Sequence, residues 1–447
     1  MNGVKFADAH PVSQCDVLVC GGGPAGIAAA VTAARKGKRT VLVEQYGFLG
    51  GAAVAGLSGT ICGMYYSSCK VKQPKQLVFG FADEFVQRLK AAKGITEPQK
   101  YGNTFVLTHD AFQFKRLADE LMEENHIEVL LHTRIIDVEC QDGRINGVWV
   151  CHKSGSELIR AKVVIDATGD ADIAYRAGLE TYKGDHGKIQ NPTMIFKVAN
   201  VNEALFQAYM KGDSIAPPEL SEQICKSHQS GEYFLPRKNI WLFSTVNSGE
   251  VLCNCTRVIG ADQRDLDVTD PHQHTEAEVY GRSQVEQYFE FFKHYFPPFK
   301  DAYISTTGCE VGVRQTRSIR GIKQLQNADI AERSKPKDGI AKCAWPIELH
   351  SGDKPKLDWI LDDYYSVPFG TLVPEEGKGI IVAGRNLCAE HEALASARVV
   401  AQCFSYGQAA GVAASLSIDQ NCEVRTIEAG NLINVLNADV SVKGAGG

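Results

Sequence analysis

Apolar positions fall into short dense runs near both ends of the chain and into a looser pattern between them. Asp16-Val17-Leu18-Val19-Cys20 is an apolar run ending at glycines, which predicts a buried parallel strand. Small, helix-compatible residues extend from Pro24 to Arg35 and close at Gly37. Thr40-Val41-Leu42-Val43 is the next predicted strand, with Glu44 at its end. A helix is expected over 109–125, with Phe112, Leu117 and Leu121 on its apolar side, and a strand over 127–131. Segments 133–140 and 144–152 read as two strands joined by Asp142-Gly143, a hairpin signal. Ala161-Lys162-Val163-Val164-Ile165 is a further buried strand and runs into Asp166-Ala167-Thr168-Gly169-Asp170.

Between about 182 and 368 the strands are broken by polar loops. One amphipathic helix stands out there, with Val285, Tyr288, Phe289 and Phe292 at i, i+3, i+4 and i+7 before Pro297-Pro298 ends it. Those aromatics are expected in a core. After 368 the α/β alternation resumes, with a strand over 379–383 and a small-residue helix over about 396–415. The pattern predicts an α/β protein: a Rossmann-like nucleotide domain formed by 14–60, 105–181 and 368–425. A mixed α/β substrate or cap domain, 61–104 and 182–367, is inserted in it.

Length agrees, since 447 residues exceed what one core usually supports. The net charge of −6 offers no global attraction to nucleic acid or an anionic membrane, and neither is expected as a partner. No apolar run approaches the ~18–20 residues of a membrane span, and no secretion signal is visible, so a cytoplasmic location is expected. A homo-oligomer is expected on base rates alone. The fourteen cysteines contain no C-x-x-C, which argues against a zinc ribbon, an iron–sulfur segment or a thioredoxin pair. His272-x-His274 lacks an evident third ligand and reads as a surface pair, so no metal is expected.

Gly21-x-Gly23-x-x-Gly26 carries the chemistry. It lies between a predicted strand and a predicted helix, with Glu44 following 23 residues after Gly21. The glycines allow a tight turn, close approach to a pyrophosphate and close helix–strand packing. The helix start offers free N–H groups to phosphates, and the acid can accept both hydroxyls of an adenosine ribose.

With these motifs in register, the chain resembles the FAD-dependent oxidoreductases of the glutathione-reductase superfamily, in the subgroup shared with succinate dehydrogenase and fumarate reductase flavoproteins. The resemblance rests on 16–45, Gly50-Gly51-Ala52, Asp166-Ala167-Thr168-Gly169-Asp170, Val382-Ala383-Gly384-Arg385 and Gly407-Gln408-Ala409-Ala410-Gly411. It implies that Gly21, Gly23, Pro24, Ala25 and Gly26 hold the pyrophosphate, with Glu44 and Gln45 at the adenosine ribose. Gly50, Gly51 and Ala52 would pass close to the phosphates and flavin, and Ile135 would face the adenine through its backbone. Ala167-Thr168-Gly169 resembles the second adenosine-side motif, and Gly384-Arg385 the contact to pyrophosphate or ribityl. Arg398-Val399-Val400 would start the last helix at the flavin N1/O2 edge, where a helix start and a guanidinium stabilise negative charge. Relatives with covalent FAD use a histidine soon after the second strand. None occurs here between His10 and His109, so non-covalent FAD is expected. No C-x-x-x-x-C pair follows the glycine motif as in disulfide reductases, and their second dinucleotide fingerprint is absent, so a dedicated nicotinamide domain is not expected.

For catalysis, His391, flanked by Glu390 and Glu392, is a candidate proton shuttle beside the flavin. Arg314, Arg317 and Arg320 recur every third residue. One or two can clamp a carboxylate, and a role in structural ion pairs is equally open. Arg398 completes the candidates, while Cys62 is expected to pack rather than react. The expected function is hydride transfer between flavin N5 and a small polar substrate bearing carboxylate, hydroxyl or amine groups, with an unidentified electron acceptor or donor. Two alternatives stand: a flavoprotein of cofactor or tRNA modification, and a non-catalytic redox-sensing flavin-binding protein.

Overall fold

The computed structural model describes residues 13–70, 72–352 and 355–444. Four parallel strands, Glu128–Leu130, Thr40–Val43, Ser13–Cys20 and Gly155–Asp166, lie side by side in that order, and Ile380–Val382 adds in parallel to the last of them. Val17, Leu18 and Val19 have no exposed surface, which is why these strands read as unbroken apolar runs rather than alternating ones. The first half of Gly155–Asp166 also pairs antiparallel with Arg144–His152, which returns to Arg134–Gln141. That hairpin turns at Asp142 and Gly143, both with positive φ (51° and 73°), the geometry an Asp-Gly turn is chosen for.

The first helix, Pro24–Arg35, is built of small residues so that the long final helix, Val400–Asp419, can lie against it. A Cβ at Gly407 would stand 2.0 Å from the Ala25 carbonyl oxygen. The sequence places one continuous helix at 396–415. In the structure it is two, His391–Ala397 and Val400–Asp419, broken where Val399 adopts extended backbone. A second correction concerns Ala111–Glu124, whose buried stripe is Phe114, Leu117, Ala118, Leu121 and Met122. Phe112 falls off that stripe and is 62% exposed.

Two apolar clusters form. The larger surrounds the parallel sheet, and the smaller lies within the inserted region, from Met194 to Val311. The segment 61–104, grouped with the cap by its sequence pattern, packs instead into the larger cluster. Phe85 contacts Phe114 and Phe404, with centroids 4.6 and 4.8 Å away, because its helix Phe81–Ala91 lies against those two helices. Residues 319–367 also contribute to the larger cluster through Ile319, Trp345 and Tyr365. The smaller cluster holds the antiparallel sheet Trp241–Ser244, Val251–Asn254, Phe196–Ala199, Tyr303–Thr307 and the helix Pro271–Tyr295. Val285, Tyr288, Phe289 and Phe292 of that helix are buried there as the periodicity predicts. Strand alternation gives the sheet two faces: Leu242 enters the smaller cluster, while Trp241 and Phe243 face the larger one. Among the described residues no helix is long and apolar enough to cross a membrane.

Candidate functional site

A cavity of about 960 Å³ opens at the carboxyl ends of the parallel strands, between them and the inserted sheet. Its floor is laid by the turns that leave Ser13–Cys20, Thr40–Val43, Gly155–Asp166 and Ile380–Val382, the position expected for ligands of open α/β sheets.

Gly21, Gly23, Pro24, Ala25, Glu44, Gln45, Gly51, Ala52, Ile135, Ala167, Thr168, Gly169, Gly384, Arg385, Arg398, Val399 and Val400 all line it. Gly26 and Gly50 do not. Gly26 packs the helix onto the preceding turn, where a Cβ would stand 1.8 Å from the Gly21 carbonyl oxygen. Gly21 itself has φ +103° and lies against the Ala167 carbonyl, so two motifs distant in sequence meet at one point. Glu44 is buried, and its carboxylate accepts the N–H groups of Gly22 (2.7 Å) and Tyr46 (2.9 Å), tying the glycine turn to the strand end. Burial raises its pKa, against the pull of those N–H groups. Arg385 donates to Asp170 (2.7 Å), which also accepts from Thr316. Burial opposes the Arg385 charge, but Asp170 more than offsets this and its pKa rises.

The surroundings fit FAD on three observations. Both helices that start at the cavity, Pro24–Arg35 and Val400–Asp419, lack a side-chain cap, leaving N–H groups for a ligand. Arg385 Nε, Arg398 Nε and Gln190 Nε2 are buried without a hydrogen-bond partner. The glycine turn brings bare backbone to the cavity wall where a phosphate needs it.

The inner end is a chamber walled by Tyr101, Trp241, Phe243 and Trp345, with Tyr101 stacked on Trp345 at 5.1 Å. Arg314 reaches it from a wholly buried position, donating to the Asn191 carbonyl (2.8 Å). Arg398 donates to Gln190 Oε1 (3.0 Å). Behind Trp241, Arg237 lies flat on the indole, 3.7 Å from its centroid, and bonds Asn239, Asn254 and Thr256. Among the described residues none of these three arginines has a carboxylate within 4 Å. Burial, then mutual repulsion, pushes the Arg314 pKa well below its usual value, and burial alone brings Arg237 to about 10.

Sequence reasoning missed the acid and base of this chamber. Glu348 and His350, two residues apart on either side of Leu349, point the same way, and both line the cavity. Tyr101 OH (3.2 Å), Trp345 Nε1 (3.0 Å) and His350 Nε2 (2.9 Å) converge on the Glu348 carboxylate. The legible signal is a Glu-x-His on a short apolar run, a pair of polar side chains on a strand with no exposed face.

Three candidates are corrected. His391 opens a helix rather than a loop, is half-buried and does not line the cavity, because the chain closes that helix against Asn327 and Gln326-Asp329. Arg317 lines the outer cavity only and is spent on the Asp170 carbonyl (2.8 Å), Asp172 and the Tyr175 ring. Arg320 is half-buried and pairs with Glu180. Cys62 lines the chamber as a neutral thiol, pushed up to about 12 by burial. His272 and His274 sit in the first turn of Pro271–Tyr295, and no metal-binding cluster occurs among the described residues.

A family model described as FAD dependent oxidoreductase matches residues 16–436. A digeranylgeranylglycerophospholipid reductase of Thermoplasma volcanium is 30% identical over 37% of this chain and 42% of its own. A thiamine thiazole synthase of Aeropyrum pernix is 30% identical over 36% and 57%. The chain thus spans about half the length of these curated relatives. In fold it is similar to a geranylgeranyl bacteriochlorophyll reductase-like protein of Thermoplasma acidophilum, 14% identical over 92% of this chain and 80% of the other, TM-score 0.50. It is also similar to a flavin-dependent brominase, 12% identical over 95% and 83%, TM-score 0.50. These relatives support the FAD-dependent class without singling out the glutathione-reductase superfamily. The chain belongs to the FAD dependent oxidoreductase family, with FAD as its cofactor.

Proposed function

We propose that this enzyme oxidises or reduces a small carboxylate-bearing substrate held in the inner chamber. The observation that carries the reading is that Arg314 and Arg398 line the chamber, with buried Arg237 behind Trp241, and that among the described residues none of the three has a carboxylate within 4 Å. Guanidinium groups stay charged when buried, and an uncompensated buried cation is strongly unfavourable unless a ligand supplies the anion. Among the described residues Glu348 is the one carboxylate whose charge reaches all three, so these residues leave the chamber an excess of positive charge.

FAD, when bound, supplies the two-electron chemistry, and the protein supplies position and charge. Gly21, Gly23 and Ala25 would hold the pyrophosphate with Arg385, and Glu44 the adenosine ribose, non-covalently and in a domain of glutathione-reductase type. Val399 and Val400 would present the helix start to the flavin, with Arg398 beside it. Arg314 then orients the substrate carboxylate by bidentate donation. The aromatic wall excludes water, which strengthens that pairing.

The phospholipid named for one group of relatives is a poorer fit. Alkyl chains laid against Arg314, Glu348 and His350 would desolvate those charged and polar groups without replacing a hydrogen bond. Turnover with small acids and with their neutral amides tests the reading. Acids are expected to be preferred, and Arg314→Met to raise KM for them by about 100-fold, the worth of a charge-assisted bidentate contact. Equal turnover of acids and amides would overturn it.

A further inference from the structure

We propose that Glu348 and His350 form a carboxylate–imidazole pair in which His350 Nδ1 exchanges a proton with the bound substrate. This rests on the reading of the chamber as the substrate site.

The geometry dictates the tautomer. Glu348 lies 2.9 Å from His350 Nε2, and a carboxylate oxygen accepts, so Nε2 donates and Nδ1 is left with its lone pair. Among the described residues Nδ1 has no hydrogen-bond partner, yet it is not among the sealed, unpaired polar atoms. His350 lines the cavity, so that nitrogen opens to it. The ring is fixed in place by the Trp241 indole edge (5.4 Å between centroids, 67°) and by its own carbonyl, which accepts from Asn191 N–H (3.0 Å). Tyr101 and Trp345 in turn fix Glu348 from the other side. A base oriented by a carboxylate that is itself oriented is the arrangement proton transfer requires.

The charges facing the ring add a condition. Burial first, then Arg314, Arg237 and Arg398, hold the His350 pKa well below its ordinary value, while Glu348 is the neighbouring acid. The imidazole is therefore neutral and ready to accept while no anion occupies the chamber. A carboxylate seated on Arg314 cancels part of that repulsion and makes His350 a stronger base. The substrate thus arms the group that deprotonates it. In the transfer a substrate O–H or N–H bond breaks, its electron pair stays on the heteroatom, and an Nδ1–H bond forms. The imidazolium that results faces the Glu348 carboxylate. In the opposite direction the same atoms return the proton.

The test uses FAD-loaded protein carrying ¹⁵N-labelled histidine. The signals that vanish in His350→Gln are expected to report Nε2–H with bare Nδ1 from pH 5 to 9, and Glu348→Gln to change that tautomer. Benzoate, as a non-reacting carboxylate probe, is expected to shift the Nδ1 titration upward by at least one pH unit, and not to do so in Arg314→Met. In flavin reduction by a substrate, His350→Gln is expected to lower the rate about 100-fold or more with KM changed less than threefold. A protonated Nδ1 in the unliganded protein, or an undiminished rate in His350→Gln, would overturn the proposal. If the tautomer and the rate loss hold but benzoate leaves the titration unmoved, the pair stands and the carboxylate reading fails.

Discussion

Arg314 and Arg317 stand three residues apart in one arginine-rich stretch and do different things. Arg317 and Arg320 are paired with acids, Asp172 and Glu180, whereas Arg314 is buried with a single backbone acceptor. Periodicity alone does not separate them, because the difference lies in what other segments bring to each: 170–172 to Arg317, Asn191 to Arg314. Cys62 presents a similar choice. Its thiol, bonded to Thr60 Oγ1 (3.3 Å) and raised to about 12, stays protonated at neutral pH and lacks the thiolate that alkylation needs. Iodoacetamide at pH 8 is therefore expected to label exposed Cys69, Cys140 and Cys309 in minutes while Cys62 resists. Mass mapping of the labelled peptides checks this, and early labelling of Cys62 would mean a differently charged chamber.

At the scale of elements, the final helix depends on what it omits. With a Cβ at Gly407 only 2.0 Å from the Ala25 carbonyl, Gly407→Ala forces two helices apart at the cofactor floor. The expected loss is about 1–3 kcal/mol or more, visible in denaturant unfolding, with weakened FAD retention. An unchanged midpoint would mean the helices pack at a looser distance. The capping of Pro271–Tyr295 gives a milder case. Asp270 accepts the N–H groups of His272 (3.0 Å) and Gln273 (2.9 Å), so Asp270→Ala is expected to cost about 1 kcal/mol by the same assay.

Much of the cofactor half was legible in the sequence, because its chemistry is local. The glycine turn, the acid at the second strand end and the small-residue final helix each announce themselves within a few residues. The substrate half was not. Tyr101, Trp241 and the stretch carrying Trp345, Glu348 and His350 are three separate segments, and their meeting depends on strand facing and inter-segment packing that no local pattern contains. The position of His391 followed sequence order, but the turn after Arg385 carries the chain away from the cavity.

At the scale of the molecule, two apolar clusters meet across one cavity, and the wall between them is a sheet whose faces serve both. Buried titratable groups make this assembly sensitive to acid. His109 is buried with both ring nitrogens unpaired, and burial lowers its pKa from 6.5 to about 4. The unfolded chain therefore binds a proton that the folded one refuses. Stability is full above pH 6.5 and falls as the pH drops toward 4, by about 3 kcal/mol in all. His109→Leu is expected to flatten that part of the pH–stability curve relative to the parent, and an unaltered curve would show His109 to be solvated.

The central claim is that the inner chamber is a carboxylate site at the face of the cofactor. Its most direct test is an anaerobic titration of the FAD-loaded enzyme with small carboxylates and their amides, following the visible flavin band. Acids alone are expected to bleach or perturb the band, saturably in the parent and not in Arg314→Met. Equal response to the neutral amides, or a response that survives Arg314→Met unchanged, would contradict it.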